Sequence, residues 1–567
     1  GSRKWPVRGS SDVFDVRHHD RTTGDQRRGS VLVIVLVVVA MLALGAYTFS
    51  ETMMSEAAAT NMYGRRAQTR ALADSGLELV SALLSEEIDP LEVSLYHDPI
   101  QFHAVTVLES DNPLLRGRFT VVAPVESDLD ARQIRFGLMD ESARLNLNTI
   151  LQLQLPAPAA PEGSESSDGD SESSSAFDPV HAVQRSLLMG LPEMTEEVAD
   201  AILDWLDEDD DPREFGVESD YYESLSPPYS ARNGPIESLD ELLKIAGVDS
   251  FLLFGEDANR NGLLDPNEDD EDGRPPFDNG DGILDLGWSA YLTARSREVN
   301  KRADGSERIN LNEGLLTELY DTLEEELGEE VAQFVVGYRM YGSVENPASG
   351  DFPSEQNKSV TRGEMDLSGG SRREIKSIYD LVGIEVAAMD SDDVALTLVS
   401  PWDADPSAMI EYLPDLMDAL TTNEDPFISG RININQAREE VLQGVFEVLI
   451  EDPEQATETA AAIIAARAVD PDTGEPTIDD AGARATNGWL VIEGVVDLAT
   501  MRKLDPFLTT RGSVFRMQVV GYFDTGGPFT RLEAVIDASE DTPKLVFVRD
   551  LTELGKGFSY QALVPEE

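Results

Sequence analysis

The sequence predicts an α+β protein: a long N-terminal helix packed on a small antiparallel sheet, with a large all-α region inserted into that sheet. Three observations predict it. The run Ser30 to Phe49, SVLVIVLVVVAMLALGAYTF, is uncharged and almost wholly apolar, and no proline interrupts the chain from there to Pro90. Convincing strand patterns occur only near the two ends of the body. Between them the pattern Arg-Leu/Ile-Asn-Leu/Ile-Asn occurs three times, which marks repeated units. At 567 residues the chain is too long for one core.

The N-terminal run comes first. At about 1.5 Å per residue it approaches the ~30 Å hydrocarbon thickness of a bilayer. Arg17, Arg21, Arg27 and Arg28 precede it, so the positive-inside bias keeps the leader in the cytoplasm and sends the body outward. No small-residue cleavage site follows the run, as a secretory signal would require; the small residue Gly29 stands before it. Beyond Glu51 the helix continues, and Ala57, Ala67, Ala71, Leu72, Leu79, Leu83 and Leu84 supply an apolar stripe.

A basic leader, Arg28-Gly29, an apolar helix and then RRAQTRALADSGLE together resemble the N-terminus of a type IV pilin-like protein. The match is best to the minor pseudopilin K family of type II (general) secretion. The resemblance implies that a prepilin peptidase cuts after Gly29, that residues 1–29 are removed, and that Ser30 becomes the methylated N-terminus. It implies a single-pass inner-membrane protein with its body in the periplasm, partnered by other minor pseudopilins at the filament tip. Most pilins carry glutamate at the fifth mature position; Ile34 stands there, which resembles the K subunit. The pilin arrangement, a helix laid on a sheet, is the fold implied.

The sheet opens with Arg118 to Val122 and Gln133 to Leu138, set among turn signals at Gly117, Pro124, Asp128 and Asp130. Matching strands lie at Val514 to Tyr522, Thr530 to Ile536 and Lys544 to Arg549. Asp524-Thr525-Gly526-Gly527-Pro528 and Glu540 to Pro543 turn between them. The strands before Arg144 and after Gly512 are expected in one sheet, split by the insertion.

Within the insertion, Arg144 to Asn148, Arg308 to Asn312 and Arg431 to Asn435 each lead to an apolar-periodic helix and then a Gly-ended one. The Asn side chains can satisfy nearby backbone or cap the next helix. These units resemble the SAM-like or helix-hairpin-helix modules that pseudopilin K inserts into its sheet domain, usually as two copies rather than three. The expected division is a leader at 1–29, the N-terminal helix at 30–89 and the first part of the sheet domain at 90–148. Module 1 follows at 149–300 with a disordered acidic loop at 156–175, module 2 at 301–430, module 3 at 431–510, and the last strands at 511–567.

Helix-hairpin-helix units often bind DNA by offering hairpin amides to phosphate. Here the hairpins read GLPEMTEEV, ELGEEV and DPEQATET, and the net charge is −64. Repulsion argues against nucleic acid as a partner. With no cysteine, disulfides, thiol catalysis and Cys-ligated zinc are excluded as well. Trp205, Trp288, Trp402 and Trp489 read as core.

The sharpest chemical motif is Asp257 to Glu268, DANRNGLLDPNE, which fits the calcium loop D-x-[DN]-x-[DN]-G-x5-E at every specified position. Calcium takes six to eight oxygens. The spacing turns Asp257, Asn259 and Asn261 toward one point and lets Gly262 make the sharp turn. Leu263 offers its carbonyl, Asp265 acts directly or through water, and Glu268 closes bidentately. Asp278 to Asp285 is a degenerate copy, with Phe277 at the first ligand position and Trp288 at the last. The acidic run Asp207 to Asp211 reads as a solvated helix end or a cation site. Calcium is expected to be structural, so that its removal loosens module 1 while the terminal sheet responds less.

No histidine cluster, nucleophile elbow, P-loop or dinucleotide fingerprint appears, so no enzyme is expected. The expected function is that of a minor pseudopilin capping the tip of a type II secretion pseudopilus, supporting filament initiation and protein export across the outer membrane. The alternatives are a minor pilin of a type IV pilus, a competence-type DNA receptor and a calcium-stabilised surface adhesin.

Overall fold

The computed structural model describes residues 28–85, 94–126, 131–153, 179–271, 273–348, 360–392, 394–467 and 484–564. Residues 1–27 of the expected leader 1–29, and the acidic loop 156–175, therefore lie outside the described residues. The chain divides into two compact units, 1–67 and 68–567, and the helix Arg28–Leu84 contributes residues to both. In the first unit the described residues are helical, and Val31 to Phe49 expose their apolar side chains.

In the second unit the sheet runs in the order Val105–Leu108, Gly117–Pro124, Val514–Phe523, Thr530–Asp537 and Lys544–Asp550, each pair antiparallel. Strands from the two ends of the body thus share one sheet, with Val519 opposite Val121. Thr530–Asp537 is buried at every residue because both of its faces are covered. Leu532, Ala534 and Ile536 pack in the core that also contains Ala73, Leu77 and Val80 of the helix. Arg531, in the opposite phase of the pleat, reaches the carbonyls of Asn259 and Arg260 in the insertion.

The helix lies close on the sheet because small residues meet there. A Cβ on Gly76 would stand 2.6 Å from Val519 Cγ1, and one on Gly521 would stand 2.3 Å from Thr69 O. The buried helix positions are Thr69, Leu72, Ala73, Gly76, Leu77 and Val80, spaced three and four apart. This corrects the expected stripe: Ala57, Ala67 and Ala71 are exposed, and Leu79, Leu83 and Leu84 are only partly buried. A second correction concerns Gln133 to Leu138. Only Ile134–Arg135 pairs there, since the chain bends at Phe136 and Gly137 and Leu138 N–H donates to Leu95 O instead.

The insertion is not all-α. Each Arg-x-Asn-x-Asn copy contributes two residues to a parallel ladder: Leu145–Asn146 with Leu292–Thr293, Ile309–Asn310 with Leu420–Thr421, and Ile432–Asn433 with Leu508–Thr509. A hairpin, Glu385–Met389 with Ala395–Val399, adds more strand. The reason is local: the copies alternate apolar and Asn residues, a strand period, while helical periodicity begins only afterwards.

The Asn residues repeat their bonds as faithfully as their positions. The side-chain oxygens of Asn146, Asn310 and Asn433 accept from the N–H two residues on, at 3.1, 2.9 and 2.9 Å. The second Asn of each copy ties two distant carbonyls: Asn148 those of Ile236 and Ala294, Asn312 those of Ile375 and Thr422, Asn435 those of Arg484 and Thr510. The three ladder-closed units share one continuous core that runs from Leu145 to Leu508. Trp205, Trp288, Trp402 and Trp489 are all buried in it, as their type suggests.

Candidate functional site

The loop Asp257 to Glu268 is held by its own acids in the way its motif requires. Asp257, buried, accepts from the N–H of Asn261 at 3.0 Å and of Gly262 at 2.8 Å, which winds the first half inward. Gly262 has φ +71°, a conformation that glycine adopts without strain. Asn261 Oδ1 accepts from Leu263 N–H at 2.7 Å. Glu268 reaches back across the loop and accepts from Ala258 N–H at 3.1 Å and from Asp265 N–H at 3.0 Å. The Asp265 carboxylate takes the side-chain amides of Asn259 and Asn261 at 2.5 and 3.0 Å.

All six predicted ligand positions, Asp257, Asn259, Asn261, Leu263, Asp265 and Glu268, therefore belong to one hydrogen-bonded turn. Two features fit a cation there. Asn259 Oδ1 is buried with no partner. Burial pushes the Asp257 carboxyl up to about 6, against the opposing amides of Gly262 and Asn261. Burial, joined by Asp257 and Asp265, pushes Glu268 up to about 7. Hard oxygen donors with uncompensated negative charge suit calcium.

The loop is bolted to the sheet. Arg531 donates to Asn259 O at 2.8 Å and to Arg260 O at 2.6 Å, Gln518 Nε2 donates to Arg260 O at 2.7 Å, and Asn261 Nδ2 donates to Gly557 O. These bonds join the loop to the terminal sheet, which was expected to respond less than module 1 to calcium removal. The cause is the polar face of the strands, which sequence alternation shows but whose target it does not.

The acidic stretch after the helix Glu196–Leu206 folds into a different kind of cluster. Asp204, Asp207 and Glu218 are the described residues whose three carboxylate oxygens lie within 4.8 Å of one another. The carboxylates of the 257–268 loop stand further apart. Arg213 lies within the cluster, donating to Asp204 Oδ1 at 2.8 Å and to Asp207. Burial, with Asp204 and Asp207 beside it, pushes Glu218 up to about 8, and both of its oxygens lack a partner. Asp209, Asp210 and Asp211 of the predicted run are exposed.

At the N-terminus, Gly29 and Ser30 fall within the helix Arg28–Leu84. Its portion from Val31 is long and apolar enough to cross a membrane. Among the described residues it is the one helix with those properties, which makes it a single candidate anchor.

In the second unit, the last part of the helix Arg28–Leu84 packed on a small antiparallel sheet is the arrangement that the resemblance to the pilin-like class implies. Comparison with known proteins sharpens the class. Residues 143–253 match the family model for Type II secretion system (T2SS), protein K. Type II secretion system protein K of Klebsiella pneumoniae is 28% identical over 230 residues, 40% of this chain and 60% of that protein. Its namesake in Pectobacterium carotovorum subsp. carotovorum is 38% identical over 73 residues, 12% of this chain and 22% of that protein. The chain thus spans less than two thirds of the length of either relative. A solved structure, the GspK-GspI-GspJ complex from the enterotoxigenic Escherichia coli Type 2 Secretion System, aligns at TM-score 0.34 and 11% identity, covering 87% of this chain and 99% of that one. The resemblance to the minor pseudopilin K family is borne out by the family region and these relatives. Neither a type IV pilus minor pilin nor a DNA receptor is favoured by them. The matched region 143–253 ends just before the 257–268 loop.

Proposed function

We propose that this chain is the K-type minor pseudopilin that caps the tip of a type II secretion pseudopilus, helping to start the filament and to export proteins across the outer membrane. The observation that carries the reading is the family region at 143–253, built into an insertion that the helix-on-sheet body supports. Such a body is too bulky for another subunit to stack above it, so the filament ends there.

In this reading the anchor sits in the inner membrane with the body in the periplasm. Prepilin peptidase removes residues 1–29, Ser30 is methylated, and the other minor pseudopilins pack against the helix. The three ladder-closed units act as SAM-like modules for protein contact rather than for nucleic acid, given the charge of −64. Calcium held by Asp257, Asn259, Asn261, Leu263, Asp265 and Glu268 stiffens the first module; no catalytic step is assigned to the chain.

Co-expression with a prepilin peptidase tests the assignment. Mass spectrometry should find Ser30 at the N-terminus, and Gly29→Asp should block the cut. An intact leader, or a cut beyond Phe49, rejects the pseudopilin reading. Cross-linking of the processed chain to the other minor subunits, lost when the peptidase is absent, tests its place at the tip.

A further inference from the structure

The degenerate loop at 278–285 lacks an acid at the position where its motif should close, since Trp288 is buried there and donates its indole N–H to Pro192 O. Phe277, at the first position, is 65% exposed. The structure supplies the closing acid from elsewhere. Gly255 and Leu286 form an antiparallel bridge, and Glu256 N–H donates to Asp285 O at 2.9 Å. This brings Glu256, from upstream of both loops, against the second one.

We propose that Glu256, Asp278, Asn279, Asp281 and Asp285 form a second divalent-cation site of calcium type, separate from the one at 257–268. Glu256 is 2% exposed and accepts from Asn279 N–H at 3.0 Å and from Asp285 N–H at 3.1 Å. In the first loop Glu268 spans the turn in the same manner, on the amides of Ala258 and Asp265. The rest corresponds position by position. Asp281 Oδ1 accepts from Ile283 N–H at 2.8 Å, as Asn261 does from Leu263. Gly282 has φ +83° where Gly262 has +71°. Asn279 Nδ2 donates to Asp285 at 3.0 Å, as Asn259 does to Asp265.

A separate observation points to a ligand. Asp278 is 2% exposed, and its Oδ1 accepts from the N–H of Glu271 and of Gly280 at 2.8 and 3.0 Å. Its Oδ2 is buried with no partner at all. A carboxylate oxygen without a partner forfeits the solvation it had in water, and a hard cation restores it. Asp285 and Asp278 both repel the Glu256 carboxylate. Neither loop holds its carboxylates as close as Asp204, Asp207 and Glu218, so uptake of an ion draws them inward. Because Glu256 and Asp257 are neighbours in the chain, one peptide unit joins the last ligand of one site to the first of the other.

The test is a count of bound calcium by equilibrium dialysis on the detergent-solubilised full chain, with calcium alone as the probe. Asp278→Asn should bind one ion fewer than wild type, and Glu268→Gln should lose a different one, so that the double variant loses two. Glu256→Gln should lose at least one. Wild-type counts in Asp278→Asn and Glu256→Gln overturn the second site. A full count in Glu268→Gln alone removes the first site and leaves the second standing. Circular dichroism at saturating calcium identifies any variant that fails to fold, and Asp285→Asn then takes its place with the same expected loss of one ion.

Discussion

Two acidic regions of one module solve the same electrostatic problem in different ways. At Asp204, Asp207 and Glu218 the chain brings three carboxylates together and places Arg213, whose side chain is 4% exposed, among them. At 257–268 the nearest buried cation, Arg531, gives its hydrogen bonds to the backbone carbonyls of Asn259 and Arg260. One cluster carries a positive charge from its own chain; the other has no such side chain bonded to its inward oxygens, and in the proposed reading an ion from solution supplies the charge. Acid content alone does not tell the two apart; the destination of the nearest guanidinium does.

Removing the internal cation should have the largest effect. In Arg213→Met the pair with fully buried Asp204 is broken, and losing one member of such a pair costs about 3–5 kcal/mol. Burial already pushes Asp204 up to about 6 even with Arg213 opposing it. Without the guanidinium the carboxyls favour the proton further. A raised carboxyl stabilises the fold least at high pH, so the deficit should shrink as pH falls from 8 toward 5. Thermal unfolding at the two pH values checks this. An equal deficit at both means that Arg213 acts by packing alone.

Much of this architecture was legible in the sequence, and the part that was not shares one physical cause. The anchor run, the strands at Arg118 to Val122 and at Val514 to Tyr522, and the loop Asp257 to Glu268 are long enough to carry a period or a fixed spacing. The ladder partners of the repeats are two residues long and carry no period. Their signal was a second repeat, Leu292-Thr293-Ala294-Arg295, Leu420-Thr421-Thr422-Asn423 and Leu508-Thr509-Thr510-Arg511, in which each Thr side chain bonds the main chain two residues on. Glu256 was hidden because the motif is read forward from its first ligand, while this acid approaches from behind. The apolar stripe of the helix was misplaced because alanine is compatible with either face. The sheet selects the face instead, through Gly76 and Gly521.

The next effect belongs to the proposed ion at 257–268. A ligand that binds only the folded form adds about 2.7 kcal/mol at a hundredfold excess over Kd. Chelation should lower the thermal midpoint by the corresponding amount and open residues 257–268 to protease. Since Arg531 and Gln518 hold this loop, the sheet should respond with it: amide exchange should quicken at 530–537 as well as in the loop. Glu268→Gln should reproduce the shift without chelator. Faster exchange in the loop alone would mean that the sheet contact transmits nothing.

The smallest effect tests how complete the self-supplied charge is. Of the three carboxylates only Asp204 and Asp207 bond the guanidinium, and Glu218 keeps both oxygens buried without a partner. Its carboxyl is pushed up to about 8 by burial and then by Asp204 and Asp207, from an ordinary value of 4.5. A carboxyl raised in the folded state weakens the fold as pH rises from the unfolded value through the folded one, here from 4.5 to about 8. Glu218→Gln removes the titration. In chelator, the variant should therefore gain on wild type steadily from pH 5 to pH 8, with no gain at pH 4. Calcium decides what the remaining negative charge is for. If calcium raises the wild-type midpoint equally in Glu218→Gln, Arg213 is the only cation the cluster uses. If Glu218→Gln abolishes part of the calcium response, the cluster takes an ion too, and the contrast with the 257–268 loop becomes one of degree.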